Sequence, residues 1–164
     1  MSRLFVKEAE TQKEIADTLN VRRKVFVEEQ KIPEEVELDG KDNQAEHIVA
    51  YFNNDPIGCT RIRHLDKGVK IERMAVIDEY RGRGFGRFIL NYTIVLLRRR
   101  YPKERIYLHS QKDVEVFYKK AGFVPTGKIF YEAGIPHIMM VLEKKKPLLL
   151  IGKMLKERLP KSSS

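Results

Sequence analysis

Three glycines and three arginines lie within one short segment, Arg81-Gly82-Arg83-Gly84-Phe85-Gly86-Arg87. A strand pattern over residues 69–77 precedes this segment, and a helix pattern over residues 84–100 follows it. Glycine lets the main chain approach a ligand closely, and the first N–H groups of a helix attract an anion because they lack partners inside the helix. The segment therefore predicts a pyrophosphate site, with a glycine-rich helix start that holds no ligand as the alternative.

Two common nucleotide-binding motifs do not fit this segment. The dinucleotide fingerprint ends in glycine or alanine, whereas Gly82-x-Gly84-x-x-Arg87 ends in arginine. The sequence has no Gly-Lys followed by Ser or Thr, which excludes a Walker-type phosphate loop. The strand before the turn also belongs to an antiparallel series, whereas a dinucleotide-binding turn lies in a parallel strand–helix–strand unit.

The rest of the chain predicts the elements that position this turn. Alternating apolar residues predict strands at residues 3–7, 47–52, 57–63, 69–77, 105–109, 123–131 and 136–142. Thr11 is predicted to cap a helix that ends near Gln30, and Gly122 to close a helix over residues 113–121. Residues 53–56, Asn-Asn-Asp-Pro, predict a hairpin turn. These elements indicate a mixed α/β domain with an antiparallel meander in its N-terminal half.

The long helix after the glycine turn is predicted to bury one broad apolar face, formed by Phe88, Ile89, Tyr92, Val95 and Leu96. Residues 31–46 are polar and contain proline and glycine, which predicts a loop or short helical turns.

The single cysteine, Cys59, excludes an internal disulfide and fits a reducing compartment, so a cytoplasmic location is predicted. Its place among strand residues favours a small buried side chain over a nucleophile. No grouping of His, Cys, Asp and Glu has metal-ligand spacing, and no metal is predicted. No apolar run approaches the roughly 20 residues of a membrane span.

Two segments resemble the GNAT superfamily of acetyl-CoA-dependent N-acetyltransferases, namely Arg81-x-x-Gly84-x-Gly86 and Phe117-Tyr118-Lys-Lys-Ala-Gly122-Phe123. Four further segments are similar to its YjcF/ElaA-like branch: Val25-Phe26-Val27-x-Glu29-Gln30, Pro33-x-Glu35-x-Glu37-x-Asp39, Glu46-His47 and Gly134-Ile135-Pro136-His137. The match follows the family's order over residues 3–143.

The resemblance implies a GNAT-like fold, in which a mixed central sheet has flanking helices and two of its parallel strands splay apart at the acetyl-CoA site. Main-chain groups of Met74 and Val76 are implied to bind the pantetheine arm and the thioester carbonyl. An N–H group fixed on that carbonyl acts as an oxyanion hole does. The pyrophosphate is implied to lie on the turn, formed by Arg81, Gly82, Arg83, Gly84, Phe85, Gly86 and Arg87.

Acetyl transfer to an amine needs a neutral nucleophile and a proton for the departing thiolate. The resemblance places Tyr118 where many of these enzymes keep the acid that protonates coenzyme A, with a core aromatic role as the alternative. Strand alternation predicts that the side chains of Glu72 and Val76 share a face, from which Glu72 acts through water as general base. A salt bridge or plain exposure of Glu72 is the alternative.

Other side chains are candidates for the acceptor side of the site. Glu29, together with His137 in the Gly-Ile-Pro-His segment, is predicted to contact the substrate. His109 is a further candidate base, or lines the cofactor channel, because it ends the second splayed strand. His47 opens a strand and is predicted to be structural.

These features together predict an acetyl-CoA-dependent N-acetyltransferase, an acyltransferase with acetyl-CoA as co-substrate. The acetyl group is predicted to pass to the primary amine of a small molecule, with amino sugars among the acceptors, by direct attack in a ternary complex. Two alternatives stay open: acetylation of a protein lysine or N-terminus, and a non-catalytic domain that senses acyl-CoA.

The net charge of +9 is unevenly distributed, and it bears on the partners. Residues 1–60 hold 8 Lys and Arg against 13 Asp and Glu, whereas residues 61–164 hold 24 against 10. A basic half fits a phosphate-rich cofactor. Because the sequence has no nucleic-acid module and no aromatic residues interleaved with basic ones, no nucleic-acid partner is predicted.

The composition changes after Glu143. This change predicts an acetyltransferase domain at residues 1–143 and a basic amphipathic tail at residues 144–164. The tail is predicted to pack on protein, either its own domain or a second copy in a homodimer, with an anionic membrane surface and disorder as the alternatives.

Overall fold

The computed structural model describes residues 3–144, which form a mixed sheet of seven strands. The strands are β1 Leu4–Glu8, β2 Glu46–Phe52, β3 Asp55–Leu65, β4 Gly68–Val76, β5 Ile106–Gln111, β6 Phe123–Glu132 and β7 Ile135–Leu142. Their order across the sheet is β1-β2-β3-β4-β5-β7-β6. Neighbouring strands are antiparallel except β4 and β5, which are parallel.

The parallel pair is joined only at its beginning. Residues 69–71 of β4 pair with residues 106–108 of β5, and the ladder between the two described strands stops there. Beyond Ile71 and Leu108 the strands separate and leave an opening in the sheet. The antiparallel meander, the splayed parallel pair and the flanking helices confirm the fold class that the sequence predicts.

The helices of the described residues are α1 Gln12–Arg22, α2 Glu34–Glu37, α3 Phe85–Arg100 and α4 Glu115–Lys120. One apolar cluster joins α3 and α4 to the sheet and includes Ile89, Leu97 and Tyr118. A second cluster joins the C-terminal end of α1 and the π-helical segment Arg23–Glu29 to the sheet, through Val21 and Val25. Because Ala75 belongs to the second cluster and Val76 packs on the first, the clusters lie on opposite faces of the sheet.

Thr11 begins α1 as the sequence predicts. Its Oγ1 accepts a hydrogen bond from the N–H of Glu14 at 3.1 Å, and the Glu14 carboxylate accepts one from the N–H of Thr11 at 3.0 Å. This capping box pairs two N–H groups that the helix itself leaves free. The helix then continues without a break through the π-helical segment, whose last N–H bond runs from Gln30 to the carbonyl of Val25.

The predicted buried face of α3 is partly correct, because Ile89 is buried and Tyr92 and Leu96 pack half-buried against the core, but the face is rotated about the helix axis. Phe88 and Val95 are 53% and 58% exposed, whereas Leu90, Thr93, Ile94 and Leu97 are buried together with the correctly predicted Ile89. Thr93 explains the shift, because its hydroxyl donates to the carbonyl of Ile89 at 2.8 Å. A threonine satisfied by its own helix can lie in an apolar core, and a pattern that counts only apolar residues misses it.

Short helical turns form in the polar segment 31–46, as predicted, with α2 and a 3-10 turn at Asp42–Gln44. Gly122 follows α4 with φ at +104°, which fits the predicted helix closure. The predicted tail lies outside the described residues apart from Lys144. In the part of the chain that the structure describes, every helix is too short or too polar to cross a membrane.

Candidate active site

A cavity of about 880 Å³ occupies the opening between β4 and β5. Its walls come from the end of β4, the glycine turn, α4 and the β6–β7 hairpin, and the segment 29–41 covers one side. Pockets that hold small molecules measure roughly 300–1,000 Å³. Because residues from both faces of the sheet line it, the cavity passes through the opening that the splayed strands create.

The glycine turn has the shape that a phosphate group needs. Gly82 and Gly84 have φ values of +77° and +81°, and a Cβ added at either would meet no atom within 4 Å. Both residues line the cavity, as do Phe85 and Gly86 at the start of α3. The first-turn N–H groups of this 16-residue helix have no acceptor within the helix itself, so the turn fits an anion such as a pyrophosphate.

The predicted cofactor residues line this cavity, with one exception. Met74, Val76, Arg81 and Arg87 border it together with the turn. Arg83 instead lies outside the lining, and its guanidinium packs over the rings of Phe52 and Tyr80, with distances of 5.8 and 5.6 Å to the ring centroids. The side chain of Arg83 therefore anchors the turn to the sheet. In this position it does not line the cavity, so it does not make the predicted contact with phosphate.

Tyr118 lines the cavity from α4 and is only 9% exposed. Its ring packs edge-on against Phe117 and Phe123, with centroid distances of 5.1 and 6.0 Å. Burial raises the pKa of the Tyr118 phenol above its ordinary value, so the hydroxyl keeps its proton. The side chain thus packs in the core, as one alternative predicted, and the acid role of its protonated hydroxyl stays a prediction.

Glu72 lies in a cluster of cationic side chains. Its carboxylate accepts hydrogen bonds from Arg61 and Arg63 at 2.7 Å, and the Lys70 ammonium lies 3.0 Å away. Burial opposes ionisation, but the hydrogen bond from Arg63 and the charges of Lys70 and Arg61 outweigh it and hold the pKa of Glu72 well below its ordinary value. A carboxylate held this firmly in its ionised form is a poor proton acceptor near neutral pH.

The prediction that Glu72 and Val76 share a face is wrong. Arg73 between them has φ at +51°, and the β3–β4 register shifts there, because Cys59 pairs with Ala75 while Arg61 pairs with Glu72. This β-bulge inserts one extra residue and reverses the alternation. Glu72 therefore points to the face of the second apolar cluster, whereas Val76 packs on the first.

The side of the cavity that is predicted to hold the acceptor, called the acceptor side below, brings together residues from three neighbouring strands. His109 on β5, Glu132 on β6 and His137 on β7 line the cavity, and Nδ1 of His109 lies 2.9 Å from Oε1 of Glu132. Glu29 lines it from the end of the π-helical segment. His47, as expected, is structural, since it is buried and its Nε2 lies 2.9 Å from the carbonyl of Asp42. Sequence reasoning missed Glu132, because only the β6–β7 register brings it to the two histidines.

Two buried arginines fix the segment that covers the acceptor side. Arg22 binds Glu37 and Asp42, each at 2.6 Å, and Arg61 binds Asp39 and Glu72, each at 2.7 Å. The side chains of both arginines are only 1% exposed. The alternating acidic residues of Pro33-x-Glu35-x-Glu37-x-Asp39 are the sequence signal for this network, and its cationic partners come from distant elements.

Comparison with known proteins identifies the family. Residues 6–144 match the acetyltransferase (GNAT) domain, so the chain belongs to the GNAT acetyltransferases and is an acyltransferase. The uncharacterised N-acetyltransferase YjcF of Bacillus subtilis is 36% identical over 134 residues, which cover 81% of this chain and 95% of YjcF. Protein ElaA of Escherichia coli is 32% identical over 130 residues, which cover 76% of this chain and 84% of ElaA. The predicted family and branch are confirmed.

Solved structures share the fold. The crystal structure of Escherichia coli ElaA has a TM-score of 0.77 at 28% identity, covering 87% of this chain and 100% of ElaA. An acyl-CoA N-acyltransferase from Pseudomonas aeruginosa has a TM-score of 0.77 at 27% identity, with the same coverage of both chains. A GNAT acetyltransferase from Elizabethkingia anophelis, solved with acetyl-CoA bound, has a TM-score of 0.64 at 18% identity over 85% of this chain and 97% of its own.

Proposed function

We propose that this protein is an acetyl-CoA-dependent N-acetyltransferase that acts on the primary amine of a small molecule. The observation that carries the proposal is the cavity in the opening of the splayed sheet. The glycine turn and Tyr118 line this cavity together with the polar side chains of Glu72 and His137. The acetyl-CoA bound by the Elizabethkingia anophelis protein, which shares the fold, supports the choice of co-substrate.

The residues of the turn and of β4 define the cofactor end. Main-chain N–H groups of the turn and the Arg81 and Arg87 side chains are suited to the phosphates of acetyl-CoA. The cofactor supplies an activated acetyl thioester, and the main chain of Met74 and Val76 borders the place for its pantetheine arm. Tyr118, protonated because it is buried, donates a proton to the thiolate that leaves.

Direct attack by the amine is favoured over a covalent acetyl-enzyme. Cys59, the only cysteine, is 1% exposed, and its thiol donates to the carbonyl of Arg73. Burial raises the pKa of the Cys59 thiol to about 12, which leaves almost no reactive thiolate. A buried thiol of this kind also fits the proposed cytoplasmic location, where cysteines stay reduced.

The covered acceptor side favours a small molecule over a protein. Val36, Glu37 and Asp39 line the cavity from the segment that the buried arginines hold in place. This cover leaves room for a compact amine and restricts the approach of a folded surface carrying lysine. The proposal therefore ranks small amines, amino sugars included, ahead of protein acceptors.

The proposal is tested by free coenzyme A release from acetyl-CoA with a panel of small amines, amino sugars and lysine peptides. We expect release that depends on one class of small amine, with initial-rate plots that intersect as a ternary complex requires. Release that depends only on peptides would replace the small-molecule acceptor with a protein. Acetyl-CoA binding without release by any amine would support the non-catalytic sensor.

A further inference from the structure

Two histidines and one carboxylate meet on the acceptor side of the cavity. Nδ1 of His109 lies 2.9 Å from Oε1 of Glu132, and Nε2 of His137 lies 3.9 Å from Oε2 of the same carboxylate. The three side chains come from adjacent strands, in which Gln111 of β5 and Phe130 of β6 both pair with His137 of β7. The sheet register therefore fixes the cluster.

The partners of the two rings determine which nitrogen carries the proton. A carboxylate or a carbonyl oxygen only accepts hydrogen bonds, so Nδ1 of His109 donates to Glu132, and Nδ1 of His137 donates to the carbonyl of Ile135 at 2.7 Å. In each neutral ring Nε2 then holds the free lone pair. Nε2 of His137 faces Glu132. Within residues 3–144, the side-chain hydrogen bond of His109 is made by its Nδ1, so the Nε2 of His109 is the nitrogen with a free lone pair.

We propose that His109, oriented by Glu132, is the base that removes a proton from the acceptor ammonium; this rests on the proposed acetyltransferase function. The Nε2 lone pair of His109 takes one proton from the ammonium nitrogen. The freed amine lone pair forms a bond to the acetyl carbonyl carbon, the carbon–sulfur bond breaks, and the sulfur takes the proton of Tyr118. The amide nitrogen releases its second proton, which restores the Tyr118 hydroxyl through solvent, and His109 returns its proton to water.

The surroundings of the pair support this division of roles. The hydrogen bond from His109 lowers the pKa of Glu132 below its ordinary value, so the carboxylate is ionised and stabilises the imidazolium that forms. The positive charges of Lys70 on β4 and of His137, when protonated, also act on Glu132. The ring of His109 packs against Tyr107 and Phe130, with centroid distances of 6.0 and 4.9 Å, which hold its orientation. Glu72 is ion-paired with three cationic side chains and is a poor proton acceptor, so the proton of the acceptor ammonium passes to His109.

The chain contains a matched control for this pair. His64 also contacts a carboxylate, with Nε2 lying 3.0 Å from Oε2 of Glu46, but it lies outside the cavity lining. The experiment compares His109→Gln, Glu132→Gln and His64→Gln in acetyl-CoA binding by calorimetry and in kcat/KM against pH, with an amine that the wild type acetylates. His64→Gln should behave as the wild type.

The expected results separate chemistry from binding. His109→Gln should keep the acetyl-CoA Kd, lose about 10²–10⁴-fold in kcat and lose the acidic limb of its pH profile. Glu132→Gln should show a smaller loss, with the limb moved to lower pH, because the imidazolium loses its anionic partner. A wild-type kcat and limb in His109→Gln would overturn the proposal and leave the acetyltransferase function intact.

A second measurement needs no turnover and so stands apart from the proposed function. In ¹⁵N spectra of histidine-labelled protein, neutral His109 should be the Nδ1–H tautomer in the wild type, and this preference should be lost in Glu132→Ala, which removes the acceptor. An Nε2–H tautomer of His109 in the wild type would overturn the proposed base. Failure of every amine to release coenzyme A, with the Nδ1–H tautomer present, would instead overturn the acetyltransferase function.

Discussion

The guanidinium of Arg81 binds both carboxylate oxygens of Glu29, with each N–O distance at 2.9 Å. Its Nε donates to the carbonyl of Val76, also at 2.9 Å. Arg81 opens the phosphate turn, Val76 ends β4, and Glu29 ends the π-helical segment on the acceptor side. One side chain therefore links the cofactor end of the cavity to its acceptor end.

The ion pair of Arg81 and Glu29 determines the net charge beside the glycine turn, where the phosphates of acetyl-CoA are proposed to bind. Arg81→Gln should weaken acetyl-CoA binding, and Glu29→Gln should tighten it several-fold, because the variant removes a negative charge from the cationic turn. Both side chains are more than a third exposed, so such a pair contributes about 0–1 kcal/mol and the Tm should change little. Calorimetry at low salt measures both Kd values.

The control for this prediction is Glu34→Gln, which removes the exposed pair of Arg23 and Glu34 outside the cavity lining and should leave the Kd unchanged. If Glu29→Gln weakens acetyl-CoA binding, the ion pair is needed to position the turn.

The left-handed conformation of Gly84 is predicted to serve cofactor binding. Gly84→Ala places a Cβ in open space on the cavity side and strains a φ of +81°, at a cost of about 1–2 kcal/mol in stability. Gly127→Ala is a matched control, because Gly127 has φ at +80°, has equally open surroundings and lies outside the cavity lining. Both variants should lose similar stability, and only Gly84→Ala should weaken acetyl-CoA binding. Equal affinities would show that the turn is only a helix start.

Tyr118→Phe removes a buried hydroxyl and should leave the core packing intact. The variant should keep acetyl-CoA affinity and lose about 10²–10⁴-fold in kcat, as expected for a missing acid. Tyr51→Phe is the control, because the Tyr51 hydroxyl binds Asp17 at 2.6 Å, outside the cavity lining. That variant should lose stability and keep activity. Unchanged turnover in Tyr118→Phe would mean that the thiolate takes its proton from another group.

Glu72→Gln should act mainly on stability. Removing one partner of a buried ion pair costs about 3–5 kcal/mol, and we expect about 3 because Arg61 keeps Asp39 and Asp42. The folded-state pKa of Glu72 lies below the ordinary 4.5, so its contribution is present above that pH and is lost as the pH falls below it. Urea unfolding from pH 7 to pH 3 should therefore show a shallower loss in Glu72→Gln than in the wild type.

Glu35→Gln, which neutralises an exposed carboxylate of α2, is the control and should reproduce the wild-type pH dependence. A flattened acidic limb of the rate profile in Glu72→Gln, with the limb intact in His109→Gln, would make Glu72 the base after all.

Features set by local chemistry could be predicted from the sequence. The Thr11 cap, the Asn53–Asn54 turn, the Gly122 closure and the glycine turn all follow from residue types at fixed spacing. The splayed parallel pair was predicted from the resemblance to the GNAT superfamily, and the full strand order was not predicted, because local patterns do not specify which strands are neighbours.

The predictions fail where a distant contact or a single irregular residue determines the orientation or the surroundings of a side chain. Alternation along β4 fails at Arg73, whose bulge turns Glu72 away from the face of Val76. The surroundings of Glu72 depend on Arg61 and Arg63, which are nearby only through the β3–β4 pairing. Glu132 has no local signal that marks it as a partner of His109, because 23 residues separate them.

The most direct test of the central claim is the stoichiometry of one reaction. Wild-type protein is incubated with acetyl-CoA and the best amine of the panel, and free coenzyme A and acetylated amine are measured together by mass spectrometry. We predict equal amounts of the two products, both strongly reduced in Tyr118→Phe. Bound acetyl-CoA that yields neither product, or coenzyme A released without any acetylated amine, would contradict the claim that this cavity transfers an acetyl group to an amine.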